Sequence, residues 1–397
     1  MTALYRQRGG GHNPGMAFAA PIPEPAGDAT DPETGGTLTI DLGAIEANWR
    51  TLVRQGVTAE CAAVVKANAY GLGIEAVTAK LSGAGCKTFF VADLAEARRV
   101  RARAREATIY VLDGFTPEAA TAFMEIRARP VINSLTELAE WDAFVATQGW
   151  QGGAALHVDT GMNRLGIAVD EATALAPRVK SPNHGIALIM SHLACAETAD
   201  HPLTVKQIEQ FREVRRLYEG IPASLANSSG IFLGDSAVFD LTRPGAALYG
   251  VNPTPRRDNP MRGVVELSGR ILQIRTVERD QTVGYGAAWT AKRTTRLAVV
   301  ALGYADGLLR AASATDQAEG GSAIVAGKRC RLAGRISMDL AAVDITDIAD
   351  SPVRRGDPAT LIGGGITVDE FAAAAGTIGY EILTGLGPRC HLVYRDS

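Results

Sequence analysis

Short apolar runs alternate with helical patterns through the first two thirds of the chain. The eight runs occupy residues 62–65, 88–91, 109–112, 131–132, 155–158, 186–190, 223–226 and 246–248. Continuous apolar runs of this length are typical of parallel strands that are buried on both faces. Eight such runs with helices between them, in about 230 residues, predict an α/β fold that is a (β/α)8 barrel of the TIM type rather than an open sheet.

The helices between the runs have recognisable starts. A capping residue with a glutamate three positions later precedes residues 94–102 (Asp93) and residues 135–144 (Ser134), and residues 204–217 are amphipathic. A side chain that caps the first backbone N–H groups, paired with a glutamate, is a helix N-terminus signal. These segments therefore fit the helical half of a repeating strand–helix unit.

The pattern changes near residue 264. Strand-like runs follow at residues 264–267, 271–274, 297–302, 323–326 and 341–345, and the one clear helix starts from a capping box at residues 367–370. This predicts a mainly β C-terminal domain at residues 264–397, after a barrel at residues 37–263. Residues 1–36 are rich in glycine and proline and are interpreted as a flexible arm outside both domains.

Composition narrows the function classes. The chain has 397 residues and a net charge of −3, with 40 basic and 43 acidic side chains, so a nucleic-acid partner is disfavoured. No apolar run approaches the length of a membrane span, and the five cysteines are far apart and in no metal-binding spacing. We expect free thiols, no metal site and no membrane contact. The apolar stretch at residues 16–20 is too short for a signal-peptide core, so we expect a cytoplasmic protein.

Polar side chains follow or precede the apolar runs. They are Lys66, Asp93, Asp113, Asn133, Asp159, His192, Asn227, Ser228 and, just before the last run, Arg243. Active sites of (β/α)8 barrels lie at the carboxyl ends of the strands and in the loops that follow. These residues are therefore the first candidates for chemistry.

Lys66 directly follows the first apolar run. Partial burial there would lower the pKa of its amine and suit it to a Schiff base, although a strand-end lysine that extends to water fits the position as well. The loops at residues 227–230 and 243–246 combine hydroxyl groups with glycine and suit a phosphate, or are ordinary turns. A reactive lysine together with a phosphate site points to pyridoxal phosphate.

Nine spaced segments make a resemblance specific. They lie at residues 64–71, 159–166, 191–192, 227–228, 243–245, 284–286, 303–307, 335–339 and 380–382. In their order and residue types, across residues 38–394, they resemble the alanine racemase family of pyridoxal-phosphate enzymes of fold type III. The resemblance implies interconversion of L-alanine and D-alanine, with D-alanine supplied for peptidoglycan.

The resemblance also implies roles for individual residues. Lys66 and Tyr285 would be the two bases on opposite faces of the substrate, with Lys66 also binding the cofactor aldehyde. The other implied cofactor-binding residues are Tyr70, His192, Asn227, Ser228, Arg243, Gly245, Ala246 and Tyr380, and the implied substrate-binding residues are Arg164, Met338 and Tyr304. Family members are homodimers, which implies that Tyr285 and Met338 cross the subunit interface.

One position departs from the family pattern. Many members have a lysine, often carbamylated, seven residues before the loop arginine, whereas this chain has His157 seven residues before Arg164. A histidine does not supply a stable anion, so the group that orients Arg164 is left open.

Three other functions are compatible with parts of the sequence. A racemase of broader specificity, acting on serine or basic amino acids, is the alternative within the same reaction type. A basic amino-acid decarboxylase fits poorly, because Arg243 and the two bases implied by the resemblance suit proton exchange. A pyridoxal-phosphate carrier made of the barrel alone would need neither a second domain nor Tyr285.

Overall fold

The computed structural model describes residues 33–150, 152–180, 185–348, 353–387 and 389–397, with only the backbone described at 179 and 180. The predicted arm therefore lies outside the described residues except for positions 33–36. Among the described residues, no helix is both long and apolar enough to cross a bilayer.

Strands and helices alternate through the barrel as predicted, and strands predominate from residue 265 onward. The strands are β1 (Gly36–Asp41), β2 (Glu60–Cys61), β3 (Ala63–Val64), β4 (Thr88–Val91), β5 (Thr108–Val111), β6 (Arg129–Ile132), β7 (Ala154–Asp159), β8 (Ile167–Ala168), β9 (Ile186–Met190), β10 (Ala223–Ser224), β11 (Leu241–Thr242), β12 (Val265–Val277), β13 (Thr282–Val283), β14 (Trp289–Thr290), β15 (Thr295–Val300), β16 (Ser322–Val325), β17 (Lys328–Arg331), β18 (Ala341–Asp344), β19 (Pro358–Ile362) and β20 (His391–Arg395). The helical segments are α1 (Leu42–Gln55), α2 (Lys66–Tyr70), α3 (Ile74–Ala84), α4 (Leu94–Arg103), α5 (Ala120–Ile126), α6 (Leu135–Gln148), α7 (Val169–Leu175), α8 (Pro202–Leu217), α9 (Val368–Ala374) and α10 (Gly379–Gly385).

Eight parallel strand positions, called staves, form the barrel, and the short strands β2 and β3 together make the first. Strands β3, β4, β5, β6, β7, β9 and β10 are neighbours in that order in one parallel sheet. Strand β11 pairs in parallel with β2, with Leu241 opposite Glu60. The backbone N–H of Asp240 donates to the Ala223 carbonyl at 3.0 Å, which joins β11 to β10 and closes the barrel. The barrel prediction is confirmed.

The eighth stave lies earlier in the chain than the sequence pattern indicated. The predicted run at residues 246–248 is part of a short 3-10 helix, Ala246–Tyr249, and the stave is β11. Pro244 has no N–H for a strand ladder, so the chain leaves the sheet there. The apolar side chains after it are buried against the barrel instead. The correction puts Arg243 directly after the eighth stave, as Lys66 follows the first.

The predicted helix starts are confirmed. The carboxylate of Asp93 accepts from the backbone N–H of Glu96 at 2.9 Å, and α4 begins at the next residue. The Ser134 hydroxyl caps α6 in the same way, accepting from the Glu137 N–H at 3.1 Å. These caps fix where each helix leaves the carboxyl end of its strand, which is the end that carries the candidate site.

The C-terminal sheet includes the first strand of the chain. In β1, Leu38 pairs antiparallel with Leu267 of β12 and parallel with Leu392 of β20. The expected barrel range began at residue 37, but residues 37–41 lie in this second sheet. The sheet order is β17-β16-β19-β12-β1-β20, with β15 beside β12 and β18 beside β15.

The C-terminal domain contacts the barrel beside the candidate site. The hydroxyl of Tyr394, on β20, donates to the Leu72 carbonyl at 3.0 Å. A Cβ on Gly71 would lie 2.6 Å from the Leu383 carbonyl oxygen of α10, so only glycine allows this approach. The sequence predicted one helix in this domain, and α10 is a second one. It has seven residues and begins and ends with glycine, which leaves too little apolar periodicity to recognise.

Candidate active site

A cavity of about 680 Å³ opens at the carboxyl end of the barrel. Ten of the sequence-predicted site residues line it: Lys66, Tyr70, Arg164, His192, Asn227, Ser228, Arg243, Gly245, Ala246 and Tyr380. Nine come from the barrel, and Tyr380 comes from α10 of the C-terminal domain. The structure thus brings together residues that are up to about 310 positions apart, as expected for loops at one end of a barrel.

Lys66 follows β3 and is partly buried in the cavity wall. Burial lowers the pKa of its amine, and the positive charge of Arg164 lowers that pKa further, whereas the carboxylates of Asp113 and Glu96 oppose the shift. A lowered pKa raises the neutral, nucleophilic fraction of a lysine near neutral pH. This environment favours reaction with a carbonyl group.

The four residues after Lys66 form a left-handed turn that the sequence did not predict. Ala67, Asn68, Ala69 and Tyr70 have φ angles of 54–56°. The left-handed conformation costs roughly 1–2 kcal/mol for each residue with a Cβ, and asparagine tolerates it best. Strain of this kind persists only where the surroundings hold it, and it is frequent at functional sites.

Tyr70 ends this turn beside Gly245. Its ring packs 4.7 Å from the ring of Tyr249 and 6.1 Å from that of Tyr380, measured between centroids. Burial raises the pKa of the Tyr70 phenol, so its hydroxyl is a neutral donor. A Cβ on residue 245 would overlap the Tyr70 hydroxyl oxygen and lie 3.0 Å from its Cζ. Only glycine leaves this hydroxyl beside the backbone.

Ser228 completes the same corner of the cavity. Its Oγ accepts from the backbone N–H of Gly245 at 3.0 Å and from that of Ala247 at 3.2 Å. With both lone pairs engaged, the serine can only donate to a further group. The hydroxyls of Ser228 and Tyr70, which lie beside the backbone at Gly245, therefore form a donor-rich cradle that suits an anion. We call these three residues the donor cradle.

Arg243 is a buried cation, with 4% of its surface exposed. Its guanidinium donates to the Ser224 hydroxyl and, at 2.6 Å, to the Ser191 carbonyl. No carboxylate pairs with it among the residues that the structure describes. Burial lowers its pKa to about 9, so it remains charged at neutral pH. A charged donor held without an acid partner can bind a ring nitrogen or another acceptor.

Two neutral histidines stand beside this arginine. Burial and the charge of Arg243 lower the pKa of His192 well below its ordinary value and that of His157 to about 4. His157 Nδ1 lies 2.8 Å from Asn133 Oδ1, and the amide of Asn133 donates to the Val131 carbonyl at 2.8 Å. The Asn133 oxygen therefore accepts, so the proton of His157 is on Nδ1 and Nε2 has the free lone pair.

Arg164 is exposed at the cavity wall, on a loop that follows β7. The carboxylate of Asp159 holds this loop, accepting from the backbone N–H groups of Gly161 and Met162 at 2.8 Å each and of Asn163 at 2.9 Å. Asp159 was a candidate for chemistry on sequence grounds. It does not line the cavity and instead shapes the loop that carries Arg164.

Three predicted site residues of the C-terminal domain do not line the cavity. Tyr285, Met338 and Tyr304 are exposed over 68%, 53% and 42% of their surfaces, respectively. Tyr285 lies between Gly284 and Gly286, which have φ angles of 77° and 72°. Such a turn needs glycine and presents the tyrosine at the surface. Within one chain, the structure therefore does not bring these three residues to Lys66.

Several residues that support the site were not predicted from the sequence. The Tyr249 hydroxyl donates to the Val64 carbonyl at 3.0 Å beneath Tyr70, and Phe90 lies under the Arg243 guanidinium at 5.8 Å from its ring centroid. Ser224 binds Arg243 from the seventh stave. These residues look like ordinary strand or packing positions in sequence. A polar residue inside an apolar run, as at Ser224, is the one signal that could have identified such a contact.

Two family domains match the chain in order. The alanine racemase N-terminal domain matches residues 40–253, and the alanine racemase C-terminal domain matches residues 264–394. Together they span both the barrel with its cavity and the C-terminal sheet.

Relatives are similar along nearly their full length. The alanine racemase of Methylobacterium nodulans is 52% identical over 355 residues, covering 89% of this chain and 95% of the relative. The biosynthetic alanine racemase of Agrobacterium fabrum is 46% identical, covering 90% of this chain and 93% of the relative.

Solved structures have the same architecture. Alanine racemase from Bartonella henselae, with covalently bound pyridoxal phosphate, superposes with a TM-score of 0.84 at 37% identity. The biosynthetic alanine racemase from Pseudomonas aeruginosa gives a TM-score of 0.84 at 36% identity. Each comparison covers 91% of this chain and 99% of the other chain.

Proposed function

Because the chain belongs to the alanine racemase family, we propose that it interconverts L-alanine and D-alanine at the barrel cavity with pyridoxal phosphate as cofactor. It is a pyridoxal-phosphate-dependent racemase, an isomerase. The observation that carries the residue assignment is the cavity itself, which is lined by a lysine of lowered pKa, a buried arginine and the donor cradle.

The residues of the cavity fit the cofactor. Pyridoxal phosphate has an aldehyde, a ring nitrogen and a phosphate group that a site must satisfy. Lys66 supplies the amine for the aldehyde, and Arg243 supplies a charged donor for the ring nitrogen. The donor cradle of Tyr70, Ser228 and Gly245, with Ala246 and Tyr380 beside it, suits the phosphate. Asn227 and His192 complete the set, and neutral His192 adds no second charge beside Arg243.

Lys66 is the proposed base on one face of the substrate. When bound, pyridoxal phosphate supplies a ring that withdraws electrons and so eases removal of the α-proton of an amino acid. The lowered pKa of Lys66 lets its amine take this proton near neutral pH and return it in the reverse direction. Arg243 favours an unprotonated ring nitrogen, because it presents a donor where an acid would present an acceptor.

Tyr285 is the proposed base on the opposite face. Inversion at one carbon needs a proton donor on the face opposite the proton acceptor, so a second group must approach the cavity. The exposed Tyr285 does not line the cavity of its own chain. We propose a homodimer in which each chain contributes Tyr285 and Met338 to the cavity of the other, with Tyr304 at the substrate entry. Exposed apolar side chains in one region are typical of such an interface.

Arg164 is the proposed partner of the substrate carboxylate. It lines the cavity on a loop held by the three backbone hydrogen bonds to Asp159. Arginine binds carboxylates through two parallel hydrogen bonds and so also fixes the orientation of the substrate. We further propose that the product D-alanine supplies peptidoglycan. A cytoplasmic location is consistent with the five free thiols.

Chiral analysis of the products tests the reaction. The holoenzyme incubated with L-alanine should give equal amounts of the two enantiomers, and turnover of L-serine and L-lysine should be far slower. Comparable rates on all three substrates would support the broader-specificity alternative instead. Lys66→Ala should lose the visible absorbance of covalently held cofactor and at least about 10²-fold in rate. The exposed Lys206→Ala on α8 is the control and should keep both.

A further inference from the structure

The left-handed turn after Lys66 is held from outside by α4. Four consecutive residues with positive φ are unfavourable without such support. The turn carries Lys66 at one end and Tyr70 at the other, so its conformation decides where the amine and the phenol lie. The groups that hold the turn therefore act on two separate parts of the cavity.

Glu96 binds the turn through its carboxylate. Its Oε1 accepts from the backbone N–H of Asn68 at 2.8 Å, and its Oε2 accepts from the backbone N–H of Ala92 at 2.9 Å. Ala92 follows β4, the strand next to β3. The carboxylate thus ties the turn to the end of the neighbouring stave, and both of its oxygens are used.

Arg99 holds the same asparagine from the next turn of α4. Its Nη2 donates to Asn68 Oδ1 at 2.6 Å, and its guanidinium pairs with the two oxygens of Glu75 at 2.6 and 2.7 Å. Asn68 Oδ1 also accepts from the backbone N–H of Ile74 at 3.2 Å. Both the backbone and the side chain of Asn68 are therefore fixed, which leaves the turn no freedom to unwind.

We propose that Glu96, supported by Arg99, is a positioning residue that holds the left-handed turn Ala67–Tyr70 and thereby places the Lys66 amine and the Tyr70 hydroxyl for cofactor binding and proton transfer. This inference rests on the proposed function, because it assigns Glu96 a part in the use of Lys66. Neither Glu96 nor Arg99 lines the cavity, so each acts through the turn.

Glu96→Gln tests the proposal in the holoenzyme. Glutamine places one oxygen and one NH2 group where Glu96 has two oxygens, so the N–H of either Asn68 or Ala92 would face a donor. We expect at least a tenfold fall in kcat/KM for L-alanine and at least a tenfold faster loss of cofactor absorbance on dialysis. The control is Glu171→Gln, because Glu171 accepts from the backbone N–H of Ala168 at 2.9 Å and caps α7 away from the turn. This variant should keep wild-type activity and cofactor.

A second substitution separates positioning from general stability. Ala67 is exposed and has a φ of 54°, a conformation that glycine adopts without strain. If Glu96 acts by holding the turn, Ala67→Gly in the Glu96→Gln background should recover at least threefold in kcat/KM. A variant that had merely lost a helix cap would not recover, because Ala67→Gly leaves the Ala92 N–H unpaired.

The outcomes distinguish this proposal from the proposed function. Wild-type kcat/KM and cofactor retention in Glu96→Gln would overturn the role of Glu96, and so would the absence of recovery in the double variant. Retention of activity by Lys66→Ala would instead overturn the proposed function. A melting temperature of Glu96→Gln within a few degrees of the Glu171→Gln value, with activity lost only in the former, supports positioning.

Discussion

Gly245 lies so close to Tyr70 that a Cβ at position 245 would overlap the tyrosine hydroxyl oxygen. The Tyr70 hydroxyl lies against the backbone of Gly245, and the N–H of Gly245 donates to Ser228 Oγ. The approach joins the turn after the first stave to the loop after the eighth. It therefore connects the turn that begins after Lys66 to the part of the cavity formed by Gly245 and Ser228.

Gly245→Ala should weaken cofactor binding. The added methyl group forces the Tyr70 hydroxyl away from the other two residues of the donor cradle. This removes one donor to the phosphate and distorts another. We expect the Kd for pyridoxal phosphate to rise about tenfold or more, because a hydrogen bond to a charged group contributes about 1.5–3 kcal/mol. Titration of cofactor-free protein, followed by absorbance, measures this Kd.

Gly263→Ala is the matched control for this substitution. A Cβ at residue 263 would meet no atom within 4 Å, so the variant adds a methyl group without a clash. An unchanged Kd in Gly263→Ala with a raised Kd in Gly245→Ala is the expected pair of results. Equal affinities in both variants would show that Tyr70 contributes little to holding the phosphate.

His157 should make the folded state less stable in acid. Burial lowers its pKa from 6.5 to about 4, so the unfolded chain binds a proton more readily than the folded chain between these pH values. Stability from this group is complete above about pH 6.5 and falls as the pH drops toward 4. Between pH 7 and pH 5 this group lowers the free energy of unfolding by about 2 kcal/mol.

Urea unfolding at pH 7 and pH 5 measures this contribution. Over that interval the free energy of unfolding of His157→Gln should fall by about 2 kcal/mol less than that of the wild type, because glutamine does not titrate. An identical pH dependence in His157→Gln and the wild type would mean that the imidazole does not stay neutral in the folded protein.

Asp159→Asn should raise the KM for L-alanine about tenfold. The carboxylate accepts from three consecutive backbone N–H groups of the loop that carries Arg164, and an amide cannot accept all three. A looser loop leaves Arg164 less well placed for the substrate carboxylate. Steady-state kinetics provide the measurement, with Asp170→Asn on α7 as control. A change in kcat alone, with KM unaffected, would argue against carboxylate binding by Arg164.

The strands of the barrel could be read from sequence because buried parallel strands leave continuous apolar runs. The same signal gave a wrong prediction for the eighth stave, because the apolar residues 246–248 are buried in a 3-10 helix after Pro244. It also could not show that β1 joins the C-terminal sheet. Leu38 pairs in that sheet with Leu267 and Leu392, and pairing between residues so far apart leaves no local mark in the sequence.

Most of the candidate site could be predicted because nine of the thirteen residues lie where strands or their loops end at one face of the barrel. The left-handed turn after Lys66 could not, since Ala67 and Ala69 have no preference for positive φ. In the proposed account Glu96 and Arg99 hold the turn through Asn68, and those contacts depend on the packing of α4 beside α2 and α3. The hydrogen bond of His157 to Asn133 could not be predicted either, because Asn133 is on a neighbouring strand.

In the proposed dimer, Lys66 of one chain and Tyr285 of the other act on the same substrate molecule. Mixing inactive Lys66→Ala with inactive Tyr285→Phe protein, after dissociation and reassociation, tests it directly. Random pairing makes half of the dimers mixed, and each mixed dimer has one intact site, so about a quarter of wild-type racemase activity should return. Activity that stays at the level of the separate variants, although mixed dimers have formed, would contradict the shared site.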